Sequence, residues 1–126
     1  MKTQVEIEAS TSDEISRFEQ DYLGRGPREI QVHLLGDLLV VRLRGVLSAA
    51  ERHLAKSLPA ENGRDLLKQQ RTQLIELARP VMEATVKKVT GVKVVTVHHD
   101  ISTNTGEEVV IFTLGDSPTF REPKKR

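Results

Sequence analysis

The spacing of apolar residues changes period several times along the chain, and each change predicts a new element. Ile15, Phe18 and Tyr22, with Leu23 beside them, recur at helical spacing behind Thr11 and Ser12, which precede acidic residues as a helix start does. Gly24 suits a left-handed cap and Pro27 forbids continuation, so a short helix is predicted to stop there. From Glu29 the period falls to two. Ile30, Val32 and Leu34 alternate with Gln31 and His33. Beyond Gly36-Asp37, Leu39, Val41 and Leu43 share one face, while Leu38, Val40, Arg42 and Arg44 share the other. The two-residue turn makes these strands a hairpin.

Ser48 and Glu51 then stand at capping-box spacing ahead of a helix that ends at Pro59. Asn62 is placed to cap a longer helix over residues 63 to 89, in which Leu67, Leu74 and Val81 recur every seven residues beside Leu77, Ala78 and Thr85. Pro80 lacks a backbone donor and crowds the turn before it, which predicts a kink or a break; Gly91 closes the helix. Finally "VKVVTVHHDI" and "EEVVIFTLG" flank "STNTG", a second hairpin with a five-residue loop.

The predicted order is α-β-β-α-α-β-β, an α+β fold in which two β-hairpins form a mostly antiparallel sheet with helices packed on one face. Both faces of the final hairpin are apolar, and one helix layer covers only one of them. A homodimer is therefore expected to bury the other. Residues 12 to 115 are assigned to a single domain, residues 1 to 11 to a flexible N-terminus, and residues 116 to 126, "SPTFREPKKR" with its leading aspartate, to a basic flexible tail.

Composition narrows the function classes. At 126 residues with formal net charge +1, the chain has no whole-molecule field directed at nucleic acid or lipid. It contains no cysteine, which removes disulfides, thiolate metal sites and cysteine nucleophiles together. Aromatic residues amount to 3% with no Trp, a poor basis for stacking single-stranded nucleic acid. No apolar run approaches the roughly 20 residues of a membrane span, and the first residues carry no signal-peptide core. A cytoplasmic protein is expected, without nucleic-acid partner, membrane span or cofactor.

The doublet His98-His99 invites a metal reading, but adjacent strand residues point to opposite faces and do not close on one ion. If the five-residue loop sets the register, Asp100 faces Glu108 and His98 faces Val110, so His98, Asp100 and Glu108 form a polar cluster near the hairpin tip. Such a trio has the chemistry for a base paired with a carboxylate, yet no recognised ligand spacing accompanies it. A polar patch where the sheet emerges from its helix cover is the preferred explanation, and no metal is assigned. Ser48 and Glu51 are explained as caps, with no nucleophile elbow around the serine. The segment from Gly24 to Glu29 joins glycines to Arg25 and Arg28, but it follows a helix instead of opening one, unlike a phosphate-cradling loop.

Arginines are the other candidates. Arg42 and Arg44 sit on an otherwise apolar strand face, with Arg52, Arg64 and Arg71 on predicted helices. The planar guanidinium fork suits carboxylate and phosphate, so Arg25, Arg42, Arg44 and Arg52 are taken as candidates for anion or partner binding, against the plain alternative of solvated edge charges.

The ordered strings "YLGRGP", "GDLLVVRLRGVLSAAERHLA", "HHDIS" and "EEVVIFTL", from Tyr22 to Leu114, resemble the MpsC-like family of small bacterial proteins. The resemblance implies an accessory component of a membrane system linked to cation translocation, membrane potential and inorganic-carbon uptake, peripheral to the membrane and with a membrane-transport protein as partner. It brings no catalytic residues. Three alternatives stand: a non-enzymatic accessory or regulatory binding protein, a small-anion or nucleotide-binding sensor using the arginines, and an enzyme using His98, Asp100 and Glu108.

Overall fold

The computed structural model describes residues 2–24, 26–57 and 60–121. Helix α1 spans Gln4–Leu23 and starts well before the expected site. Thr3 is its cap: the Thr3 hydroxyl accepts from the Glu6 N–H and the Glu6 carboxylate accepts from the Thr3 N–H, each at 3.2 Å. The expectation of a flexible segment over residues 1 to 11 is thereby corrected. Ile7, Thr11, Ile15 and Phe18 form one buried stripe. Thr11 fits within it because its hydroxyl donates to the Ile7 carbonyl at 2.8 Å, leaving no unpaired buried donor. Tyr22 lies outside the core and stacks on Phe18. Gly24 closes α1 in the left-handed conformation expected of it.

Strands β1 (Glu29–Leu35) and β2 (Leu38–Arg44) pair with Leu35 opposite Leu38, so Gly36-Asp37 is the predicted two-residue turn. Helix α2 (Ala49–Ser57) has the predicted capping box, with the Ser48 N–H donating to Glu51 Oε1 at 2.9 Å and the Glu51 N–H to Ser48 Oγ at 3.1 Å. Helix α3 runs from Ala60–Thr90 without a break at Pro80, and it begins before Asn62, so Asn62 does not cap it. Pro80 lies on the exposed side of the helix. Its buried stripe is also rotated from the predicted one. Leu67, Arg71, Ile75, Ala78, Met82, Val86 and Val89 face inward, whereas Leu77 and Val81 are exposed. A seven-residue repeat drifts around a straight helix of 3.6 residues per turn, and the structure follows the helix.

Strands β3 (Val94–Ile101) and β4 (Glu108–Leu114) complete a four-stranded antiparallel sheet of order β1-β2-β4-β3. Helices α1 and α3 bury the face bearing Val32, Leu34, Leu39, Val41, Leu43, Val110, Phe112 and Leu114. At its far end the chain returns to its start: the Arg121 N–H donates to the Lys2 carbonyl at 2.8 Å, and the Arg121 guanidinium meets Glu6 at 3.2 Å. Pro118 is buried and Phe120 packs on the core, so residues up to 121 belong to the folded unit and not to a flexible tail; the basic residues beyond lie outside the described residues.

Candidate functional site

The last hairpin departs from the expected register by one residue. Gly106, at φ +77°, donates its N–H to the Ser102 carbonyl, and the Ser102 N–H donates to the Glu107 carbonyl at 2.7 Å. The Ser102–Glu107 pair closes the hairpin, leaving a loop of residues 103 to 106. Ile101 therefore opposes Glu108, Asp100 opposes Val109, His99 opposes Val110 and His98 opposes Ile111. A slip of one residue exchanges the faces of a strand. The predicted cluster of His98, Asp100 and Glu108 is thus dispersed: His98 and Asp100 are exposed, while Glu108 points into the core with His99.

That pair nucleates a buried ionisable group. Glu108 Oε2 lies 2.7 Å from His99 Nε2, with the two side chains 1% and 7% exposed. Glu19 reaches the same region from α1 and Arg71 from α3, both buried. Loss of water pushes the Glu19 carboxyl up to about 8; the adjacent Glu108 charge and a hydrogen bond between the two carboxyls add to this, while Arg71 opposes it. Arg71 Nη2 donates to the Val46 carbonyl at 2.8 Å, but its Nε and Nη1, together with Glu108 Oε1, have no hydrogen-bond partner. Four ionisable side chains from α1, α3, β3 and β4 are therefore linked in one place, and burial holds one of them, Glu19, well above the ordinary carboxylate range. Of these, Glu19 was not singled out from sequence, His99 was weighed only as half of the histidine doublet, and Arg71 only among the arginines on predicted helices.

A second feature lies at the start of β1 and the end of β2, beside α2 and the β3–β4 loop. Arg28, Arg44 and Arg52 line a groove of about 560 Å³ with Gly45, Thr105 and Gly106, and Glu29 and Glu107 stand among them. Arg42 is not free to bind elsewhere, because its Nε and Nη2 both contact Glu107 Oε2, at 2.9 and 2.8 Å. Arg44 makes looser contacts, 3.6 Å to Glu29 and 3.7 Å to Glu107. Of the predicted arginines, the structure therefore brings Arg44 and Arg52 together, ties Arg42 to an acid, and adds Arg28. Arg25 lies outside the described residues.

A model of the family described as "Na+-translocating membrane potential-generating system (MpsC)" matches residues 3–116. The chain belongs to the MpsC family. This MpsC-family chain is 36% identical over 113 residues to an uncharacterised protein, YbcI, of Bacillus subtilis, with 90% of this chain and 89% of the relative covered. No solved structure matches it. Among the described residues of this MpsC-family protein, no helix is long and apolar enough to cross a membrane.

Proposed function

We propose that the chain is a non-enzymatic accessory or regulatory protein of a membrane-potential-generating cation transport system, held at the cytoplasmic side of the membrane by contact with an integral component. One observation carries this: the second face of the sheet. Leu38 and Val40 on β2, with Val109 and Ile111 on β4, stay outside the hydrophobic core, and none is packed against it. Register places Val40 beside Ile111 and Arg42 beside Val109, so the apolar strip ends in the Arg42–Glu107 ion pair. A continuous apolar strip bounded by charge suits a protein contact. The family description supplies the membrane system, and a chain without a membrane-crossing helix among its described residues would reach that system through such a surface.

The test is affinity capture from detergent-solubilised membranes of the native host, comparing wild type with Val40→Asp plus Ile111→Asp. Wild type is expected to retain integral subunits of a cation-translocating complex, and the double variant to lose them while keeping its circular dichroism. Retention of the same subunits by the variant would remove this face from the proposal. Light scattering on both proteins assigns the remaining alternative: a dimer that the variant converts to monomer would place a second copy on the face.

A further inference from the structure

We infer that the groove between β1, α2 and the β3–β4 loop binds the phosphoryl group of a small phosphate ester, gripped by Arg28, Arg44 and Arg52. The three guanidinium groups come from separate parts of the chain: the entry to β1, the last residue of β2, and the first turns of α2. Like charges gathered this way repel one another, and the acids present relieve little of it. Glu107 is engaged by Arg42, Arg44 contacts its acids only at 3.6 and 3.7 Å, and among the described residues no ion pair involves Arg28 or Arg52. An anion seated between the three would offset that repulsion, and guanidinium forks match the oxygens of a phosphoryl group.

Gly45 shows how the groove is built. Its φ is +68°, and a Cβ there would stand 2.5 Å from both Cγ and Cδ of Arg28. The Arg28 stem thus lies flat across a bare backbone, which sets the position of its charged end. The Arg28 N–H also donates to the Arg44 carbonyl at 2.9 Å, fixing the two arginines relative to each other. A groove of about 560 Å³ falls within the range of small-molecule sites. Among the described residues no aromatic ring lines it, so a base or other flat group finds nothing there to stack on. Glu29 and Glu107 oppose a polyanion but accept hydrogen bonds from hydroxyls. Together these select a compact phosphate ester bearing hydroxyls, either free or as the head group of an anionic lipid.

The experiment is calorimetric titration of the full chain with glycerol 3-phosphate, alongside co-sedimentation with vesicles of phosphatidylglycerol or of phosphatidylcholine alone. Proteins compared are wild type, Arg28→Gln plus Arg52→Gln, the single Arg52→Gln variant, and Lys87→Gln plus Lys88→Gln as a cationic control on α3. Saturable binding of glycerol 3-phosphate by wild type and the lysine control, weakened at least tenfold by the paired arginine change and measurably by Arg52→Gln, supports a free ester. Selective sedimentation with phosphatidylglycerol, showing the same arginine dependence without glycerol 3-phosphate binding, supports the lipid source. Absence of both, or binding that the lysine control loses as fully as the arginine variants, overturns the inference. Arg52 is exposed on α2, so its single substitution keeps the test meaningful if the paired variant unfolds.

Discussion

His99 Nε2 sits 2.7 Å from Glu108 Oε2 across two neighbouring strands, with both side chains largely withdrawn from water. Its sequence neighbour His98 is exposed and opposes Ile111 on the other side of the sheet. Two adjacent, chemically identical side chains thus have opposite environments. His99→Ala removes the partner of a buried carboxylate and is expected to cost about 2 to 5 kcal/mol, whereas His98→Ala should stay within about 0.5 kcal/mol. Urea unfolding of the two variants checks this; equal effects would contradict the register.

Glu19 makes stability depend on pH. Its carboxyl is raised to about 8 in the folded chain from an ordinary value near 4.5, so between those limits the folded state holds a proton that the unfolded state releases. Glu19 therefore favours the fold most at pH 4.5 and below, and its burial costs progressively more as pH rises to about 8. Beyond that the loss levels off, since both states are then ionised. Glu108 and Arg71 face it from β4 and α3, and His99 on β3 holds Glu108. Glu19→Gln should flatten the pH profile of the unfolding midpoint across this window and gain most over wild type at its alkaline end. A wild-type profile equally flat would show that the carboxyl is not held neutral.

Ser48→Ala should destabilise the chain by about 0.5 to 2 kcal/mol, because the Glu51 N–H loses its acceptor at the start of α2. Glu51→Gln keeps an acceptor for the Ser48 N–H and should cost less. Thermal denaturation of the two variants reads the difference.

Gly63 reverses an ordinary rule. Inside a helix, Gly→Ala normally stabilises by roughly 0.5 to 1 kcal/mol. Here a Cβ would stand 2.4 Å from the Leu54 carbonyl oxygen, a backbone atom of α2 that cannot swing aside. Gly63→Ala should therefore lower stability, by about 1 to 3 kcal/mol if overpacking follows its usual scale. A stabilised variant would mean that α2 rests on α3 less closely.

The α+β class, the element order, both hairpins and the caps at Gly24, Ser48 and Gly91 were legible because each rests on local chemistry: periodicity, a hydroxyl at the right offset, a glycine where φ is positive. The start of α1 was missed because Thr11 and Ser12 imitate a cap; Ile7, eight residues ahead of Ile15, carried the contrary signal. The polar cluster was misplaced by a loop one residue too long, since length alone does not say whether Ser102 joins the strand. Glu19 and Arg71 were readable in part. Glu19 falls four residues after Ile15, and Arg71 lies between Leu67 and Ile75 at the same spacing, so each places a charge on an apolar stripe. That the two stripes bring these charges to His99 and Glu108 is a matter of tertiary packing and was beyond sequence periodicity. Arg28 was weighed only within the Gly24 to Glu29 segment, because its placement depends on Gly45, seventeen positions away in the chain.

The backbone bond from Arg121 to Lys2 has a practical corollary. Residues at the two extremities of the described fold are neighbours, so a short flexible linker from Arg121 back to Lys2 would close the chain without crossing the sheet. New ends could then be opened at Gly36-Asp37, a tight surface turn remote from the arginine groove, and such a circular permutant should retain the parent's β1–β2 pairing across the cut. Opening the chain instead at the β3–β4 loop would sever the Ser102–Glu107 closure and release the one register that keeps Glu108 inside.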